Sequence, residues 1–115
     1  MSKQKTFRRG DFVEVVLEEP RVPGEQSGTR PAVVIQNNIG NKFSPTIIVA
    51  FMTTQNKKDL PTHCSTMELQ GKDAIVLCEQ IRTVNKKRVR RKMGSASFKL
   101  MQQIDNALKE SLGLF

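Results

Sequence analysis

The chain has 115 residues, a length typical of one domain with a modest core, and we expect a single domain over residues 1–115. Its net charge of +8 favours an anionic partner: nucleic acid, an acidic protein or an anionic membrane surface. No apolar run approaches the roughly 20 residues of a membrane span. The basic N-terminus has no apolar stretch behind it, so no secretory signal is predicted. Two cysteines and one histidine provide neither a metal nor a disulfide framework, which favours a reduced, cytoplasmic setting.

The first half of the chain predicts three strands separated by polar loops. Residues 12–17 are rich in β-branched side chains and alternate weakly, which indicates a strand. Residues 18–29 contain two Pro and two Gly and predict a long loop, a kind of segment that is often functional. Residues 32–35 and 46–53 are apolar on both faces, as is typical of central strands. The polar residues 36–45 between them predict a loop with a turn at its centre.

The second half predicts further strands and then one helix. Residues 60–69 suit an edge strand, residues 70–73 a turn, and residues 74–84 another strand that is buried at its start. Residues 86–92 carry six basic side chains, which suits either a solvated face or a strip that faces phosphates. Apolar residues then recur at helical spacing from Phe98 to Leu112, with Ser95 or Ser97 as the N-cap and Gly113 just past the end.

These elements together predict a mainly β fold with a C-terminal helix. Five or six short strands follow one another without intervening helices, so the sheet should be mostly antiparallel. A small, strongly curved sheet or SH3-like barrel with the helix laid across it is the packing that we expect.

Residues 24–53 are the segment most typical of a functional site. Arg30 directly precedes a proline, which pushes its backbone into the extended region at the mouth of the next strand. The strand over residues 46–53 ends in Thr53 and Thr54, and strand parity does not choose between them. Two neighbouring strands would therefore bring a fixed cation and a hydroxyl to the same end of the sheet, which suits a polyanion.

Cleavage of RNA without a metal is the chemistry that these residue types allow. The chain lacks a nucleophile elbow and a Walker loop, and its lone His63 gives no support for a catalytic triad. RNA carries its own nucleophile, the 2′-hydroxyl group. Arginine matches phosphate oxygens with two parallel hydrogen bonds, and a threonine hydroxyl adds a preorganised donor where charge develops. Arginine stays protonated in proteins, so the residues alone do not name the general base.

Three long segments carry a family resemblance: PGEQSGTRPAVVIQNNIGNKFSPTIIVAFMTTQ, LPTH and VLCEQIRTVNKKR. The chain resembles the MazF/PemK family of toxin endoribonucleases, especially the MazF (EndoA) type of Gram-positive bacteria, from RRGDFVEVVL to ALKESLGLF. Two departures border the expected RNA groove. The first loop is longer than the family's usual form, and the segment between His63 and Ile75 is shorter. They leave the recognition sequence open.

The resemblance implies a fold, an activity and partners. The fold would be the SH3-like barrel of the CcdB/PemK type. The activity would be sequence-specific cleavage of single-stranded mRNA without metal or cofactor, through attack of the 2′-hydroxyl, leaving 2′,3′-cyclic phosphate and 5′-hydroxyl ends. The partners would be a second copy of the chain, forming a homodimer, and a MazE-like antitoxin with an acidic, disordered tail. No membrane is involved in this interpretation.

The resemblance also assigns residues. The family's catalytic arginine and threonine fall on Arg30 and Thr53. The residues expected beside the RNA are Glu25, Gln26, Ser27, Gln36, Asn37, His63, Gln80 and Arg82. An alternative is a non-catalytic toxin of the same fold that binds and poisons a protein target such as gyrase. A general RNA-binding barrel fits less well, because stacking aromatics interleaved with basic residues are absent.

Overall fold

The computed structural model describes residues 5–17, 23, 28–55 and 58–115. In this part of the chain six strands and two α-helices follow one another. They are β1 (Asp11–Leu17), β2 (Gly28–Val34), α1 (Asn38–Phe43), β3 (Thr46–Thr53), β4 (His63–Leu69), β5 (Lys72–Asn85), β6 (Val89–Ser95) and α2 (Phe98–Leu112). A 3-10 turn, Lys86–Arg88, joins β5 to β6. None of the described helices is long and apolar enough to cross a membrane.

The six strands form one sheet in the order β4-β5-β3-β2-β1-β6, and every neighbouring pair is antiparallel. This confirms the predicted mainly β fold with a C-terminal helix, and it confirms residues 60–69 as an edge strand, although that strand begins only at His63. The β4–β5 hairpin turns through Gln70 and Gly71, whose φ angles are 53° and 75°. Two successive positive φ values match the turn that fits the natural twist of a hairpin.

Two apolar clusters lie on opposite faces of the sheet, as the alternation in β1 requires. Phe12 belongs to the cluster under α2, together with Val33 and Ile104. Val13 and Val15 belong to the other cluster, together with Phe51. Because the central strands are buried on both faces, they read as continuous apolar runs in the sequence.

The C-terminal helix has the predicted ends, and only part of the predicted apolar stripe is buried. The Ser97 hydroxyl accepts a hydrogen bond from the backbone N–H of Leu100 at 3.1 Å, and Gly113 ends the helix with φ 68°. The buried side chains are Leu100, Ile104, Ala107 and Leu108. Phe98 is 80% exposed, so its expected place in the core was wrong. The side-chain carboxylate of Glu68 in β4 accepts from both the backbone N–H and the hydroxyl of Ser97, which fixes the entry of the helix at the sheet edge.

The segment 36–45, expected to be a loop, contains the short helix α1. The side chain of Asn37 accepts from the backbone N–H of Gly40 at 2.8 Å and begins the helix. Asn41 is buried, and its amide donates to the Gln36 carbonyl at 2.8 Å. These side-chain bonds stabilise a turn and a half of helix that is too short to show an apolar period.

Candidate active site

The strand register brings Arg30 and Thr53 to the same level of the sheet. Ala32 pairs with Phe51 and Val33 with Ala50, and continuing this register beyond the last pair would set Arg30 opposite Thr53. Both residues line one cleft of about 240 Å³. The expectation of a cation and a hydroxyl at one end of the sheet is therefore met. Arg30 lies within β2 rather than at its mouth, because pairing with β1 extends this strand back to Gly28.

The cleft is cationic and rich in hydrogen-bonding groups. Arg30, Lys72 and Arg91 contribute three positive charges, and Glu14 contributes one negative charge. Such a surplus of cations raises the local concentration of anions. The remaining lining residues supply amides, hydroxyls and apolar walls: Pro31, Met52, Thr53, Thr54, Gln55, Leu69, Gln70 and Met93.

The Thr53 side chain is oriented by the turn that follows β3. Its Oγ1 accepts a hydrogen bond from the backbone N–H of Gln55 at 3.1 Å. A hydroxyl has one hydrogen and two lone pairs, and here a lone pair is the part already engaged. The hydroxyl hydrogen therefore remains available for an acceptor in the cleft, such as a phosphate oxygen.

Glu14 forms the acidic side of the cleft and holds two arginines of β6. Its Oε2 accepts from Arg91 Nη2 at 3.4 Å, and its Oε1 lies 3.3 Å from Arg90 Nε. The Glu14 side chain is only 16% exposed, and Oε1 has no partner with hydrogen-bond geometry among the described residues. No sequence pattern pointed to Glu14, Gln70 or Lys72, and the only signal for Arg91 was the basic strip 86–92.

Two of the expected RNA-contacting residues have roles within the fold. Gln36 Nε2 donates to Asn41 Oδ1 and to the Thr46 carbonyl, both at 3.0 Å. Asn37 caps α1. Neither residue lines the cleft that contains Arg30 and Thr53.

His63 lies in a second cleft, between β4 and α2, with a volume of about 600 Å³. Its Nε2 lies 3.0 Å from Glu79 Oε2, and its Nδ1 lies 2.7 Å from the Lys58 carbonyl. The Thr62 hydroxyl donates to the other Glu79 oxygen at 3.0 Å. Burial raises the pKa of Glu79, but the hydrogen bonds from His63, the Glu79 backbone and Thr62 outweigh this effect, and the net pKa is lowered.

The other expected contacts are not in the cleft with Arg30. Gln80 and Arg82 lie on β5 but do not line this cleft, and Arg82 pairs with Val49 in the sheet. Glu25, Gln26 and Ser27 lie outside the described residues. Within the described ranges, no three His, Cys, Asp or Glu side chains are grouped as a metal ion would require.

A six-stranded antiparallel sheet, a helix packed on one face and a cationic cleft define a small β protein. Residues 8–112 match the family of PemK-like, MazF-like toxins of type II toxin-antitoxin systems, and the chain belongs to this family.

Solved structures share this fold over nearly the whole chain. An endoribonuclease from a Mycobacterial species has a TM-score of 0.81 and 20% identity, over 98% of this chain and 97% of that one. MazF from Deinococcus radiodurans also has a TM-score of 0.81 and 20% identity, over 96% and 99% of the two chains. A Mycobacterial endoribonuclease in complex with its cognate antitoxin has a TM-score of 0.79 and 20% identity, over 96% and 98%.

Proposed function

We propose that this chain is a toxin endoribonuclease that cleaves single-stranded mRNA at specific sequences without a metal ion. The observation that carries the proposal is the shared cleft of Arg30 and Thr53. These residues come from different strands, β2 and β3, and the family resemblance assigns both of them to catalysis. Membership of the toxin family supports the same conclusion, as does the likeness to chains named as endoribonucleases.

The reaction begins with the 2′-hydroxyl of the RNA. Its oxygen bonds to the neighbouring phosphorus and loses its proton, while the bond from phosphorus to the 5′-oxygen breaks and that oxygen takes up a proton. The products carry a 2′,3′-cyclic phosphate and a 5′-hydroxyl. Arg30 contacts the scissile phosphate, neutralises the charge of the pentacoordinate transition state and takes part in proton transfer. Thr53 donates its hydroxyl hydrogen to a phosphate oxygen and fixes the phosphate geometry.

The proposed partners follow from the same family membership. The chain would act as a cytoplasmic homodimer and be neutralised by an antitoxin with an acidic, disordered tail. The net charge of +8 suits both the RNA and such a tail. The Mycobacterial endoribonuclease solved in complex with its cognate antitoxin supports an antitoxin as one of these partners.

The test is cleavage of a mixed single-stranded RNA in the presence of EDTA, with the ends of the products identified. The wild type should give discrete cuts with cyclic-phosphate ends. Arg30→Ala should lower the rate by about 100-fold or more, because it removes a preorganised cation at the developing charge. Arg8→Ala is the matched control, since it removes the same charge from an exposed site away from the cleft. Intact RNA with folded, antitoxin-free wild type would instead favour the toxin that poisons a protein such as gyrase.

A further inference from the structure

A β-bulge in β6 places two consecutive arginines beside one carboxylate. Glu14 pairs with Arg91, whereas the next residue of β1, Val15, pairs with Val89. Arg90 is therefore an extra residue, and the register shifts by one at this point. In a regular strand Arg90 and Arg91 would point to opposite faces, but both reach Glu14, at 3.3 and 3.4 Å. Bulges re-aim side chains in this way and are common beside active sites.

The two arginines differ in their relation to the cleft. Arg91 lines it together with Arg30, whereas Arg90 does not. Glu14 connects the two sides of the cleft, because it pairs with Arg91 on one side and with Pro31, the neighbour of Arg30, on the other. Strands β6 and β2 are both neighbours of β1, so their backbones lie about 10 Å apart.

Arg91 has the capacity to bind a further anion. Its side chain is 57% exposed, and its hydrogen bond to Glu14 is long, at 3.4 Å. A guanidinium group has five N–H donors, so the bond to Glu14 leaves others for a phosphate. When Arg91 turns towards an anion, Arg90 still lies beside the largely buried carboxylate of Glu14 and compensates its charge.

We propose that Arg91 binds a backbone phosphate of the RNA next to the scissile one, and that Glu14 is the positioning residue for Arg91. This inference rests on the proposed nuclease function and extends it to a second arginine on a strand that the sequence did not predict. The two arginines have different roles. Arg30 binds the reacting phosphate, and Arg91 binds the neighbouring phosphate and so fixes the position of the RNA strand. Arg91 thus contributes to binding of the ground state and the transition state alike.

The test uses an RNA that contains a cut site found in the cleavage assay, with a 2′-O-methyl group on the attacking nucleotide so that no cleavage occurs. Affinity is measured over a range of salt concentrations for the wild type, Arg91→Gln and Arg91→Lys. Arg91→Gln should weaken binding about 10-fold and reduce the slope of log K against log salt by about 0.7, the value for one phosphate contact on a single strand. Arg91→Lys should restore the slope but not the full affinity, because it keeps the charge and loses the planar fork. Lys99→Gln, an exposed change on α2, should leave both quantities unchanged.

The positioning role of Glu14 is tested by a double-mutant cycle. Glu14→Gln should raise KM several-fold in the wild type with kcat almost unchanged, and it should have little further effect in the Arg91→Gln background. If Glu14 has a purely structural role, Glu14→Gln should change kcat and KM by the same factors whether or not Arg91 is present. The midpoint of urea unfolding shows whether each variant remains folded.

The outcomes separate this inference from the proposed function. If the wild type cleaves RNA and Arg91→Gln keeps its affinity and salt slope, Arg91 is not a phosphate ligand, and the nuclease assignment stands. If the wild type neither cleaves nor binds RNA, both proposals fall. Additive effects of Glu14→Gln and Arg91→Gln would overturn the positioning role alone.

Discussion

The Thr53 hydroxyl is the hydrogen-bond donor whose contribution to the proposed cleavage can be measured most directly. Because Gln55 N–H occupies an Oγ1 lone pair, the hydrogen of the hydroxyl is free to point into the cleft. Thr53→Val keeps the shape and removes this donor, so kcat should fall by about 10-fold or more, as expected for a hydrogen bond to a charged group. Thr54→Val is the matched comparison, and its smaller effect in the same cleavage assay would separate the two residues. An equal or larger loss in Thr54→Val would reverse the assignment.

Glu79 provides a prediction for the pH dependence of stability. Its pKa in the folded chain lies below the usual value of 4.5. A lowered carboxylate pKa stabilises the fold above the pKa of the unfolded chain, and this contribution is lost as the pH falls through the folded pKa. The free energy of unfolding of the wild type should therefore exceed that of Glu79→Gln above about pH 5, and the difference should shrink below about pH 4. Urea unfolding at several pH values measures this difference.

The control for Glu79 is Asp73→Asn, which changes an exposed carboxylate near the β4–β5 turn. This variant removes one carboxylate without changing the His63–Glu79 contact, and its free energy of unfolding is measured over the same pH range. A difference between the wild type and Glu79→Gln that does not vary with pH would show that the bonds from His63 and Thr62 do not stabilise the ionised carboxylate.

The elements that the sequence predicted are those with a continuous or periodic apolar pattern. The strands β1, β3 and β5 contain β-branched or apolar runs, and α2 has a cap at Ser97 and a stop at Gly113. The short helix α1 was missed because its stability comes from side-chain bonds of Asn37 and Asn41, which produce no periodicity. The strand β6 was missed because its surface side chains are nearly all basic, and a bulge interrupts the alternation.

The same distinction applies to the cleft. Arg30 and Thr53 were predicted to lie together because adjacent strands carry them. Glu14 and Arg91 meet only because β1 pairs with β6, a contact between residues 77 positions apart. Lys72 and Gln70 reach the cleft through the hairpin that follows β4. Local sequence patterns do not encode such distant pairings. The sequence therefore predicted Arg30 and Thr53 but not the residues that surround them in the cleft.

The buried face of α2 gives a prediction for stability. Ile104 is fully buried against the sheet, whereas Phe98 is 80% exposed. Ile104→Ala should lower the free energy of unfolding by about 2–5 kcal/mol, because it leaves a cavity under the helix. Phe98→Ala should change it by less than about 0.5 kcal/mol. Both values come from urea unfolding, and a large loss in Phe98→Ala would show that a partner covers this side chain.

The sheet order brings residues from four strands to one cationic cleft within a single chain. Arg30 comes from β2, Thr53 from β3, Lys72 from β5 and Arg91 from β6, and all of them line the same cleft. Arg30 and Thr53, the residues at the centre of the proposed chemistry, thus meet within one chain. The proposed homodimer would then provide two equivalent clefts, and the RNA groove between the copies would extend from them.

This arrangement predicts that two inactive variants do not complement each other. A mixed dimer of Arg30→Ala and Thr53→Val has one cleft without the arginine and one without the hydroxyl, because both residues of a cleft belong to the same chain. The RNA cleavage rate of the mixture should equal the mean of the two separate variants. A mixture of Arg30→Ala with the wild type should keep activity in proportion to its wild-type chains.

Subunit exchange is confirmed by mass after co-expression with two different tags. A mixture of Arg30→Ala and Thr53→Val that recovers about a quarter or more of the wild-type rate would show that the two residues act across copies, since random pairing places half of the chains in mixed dimers and restores one of the two sites in each.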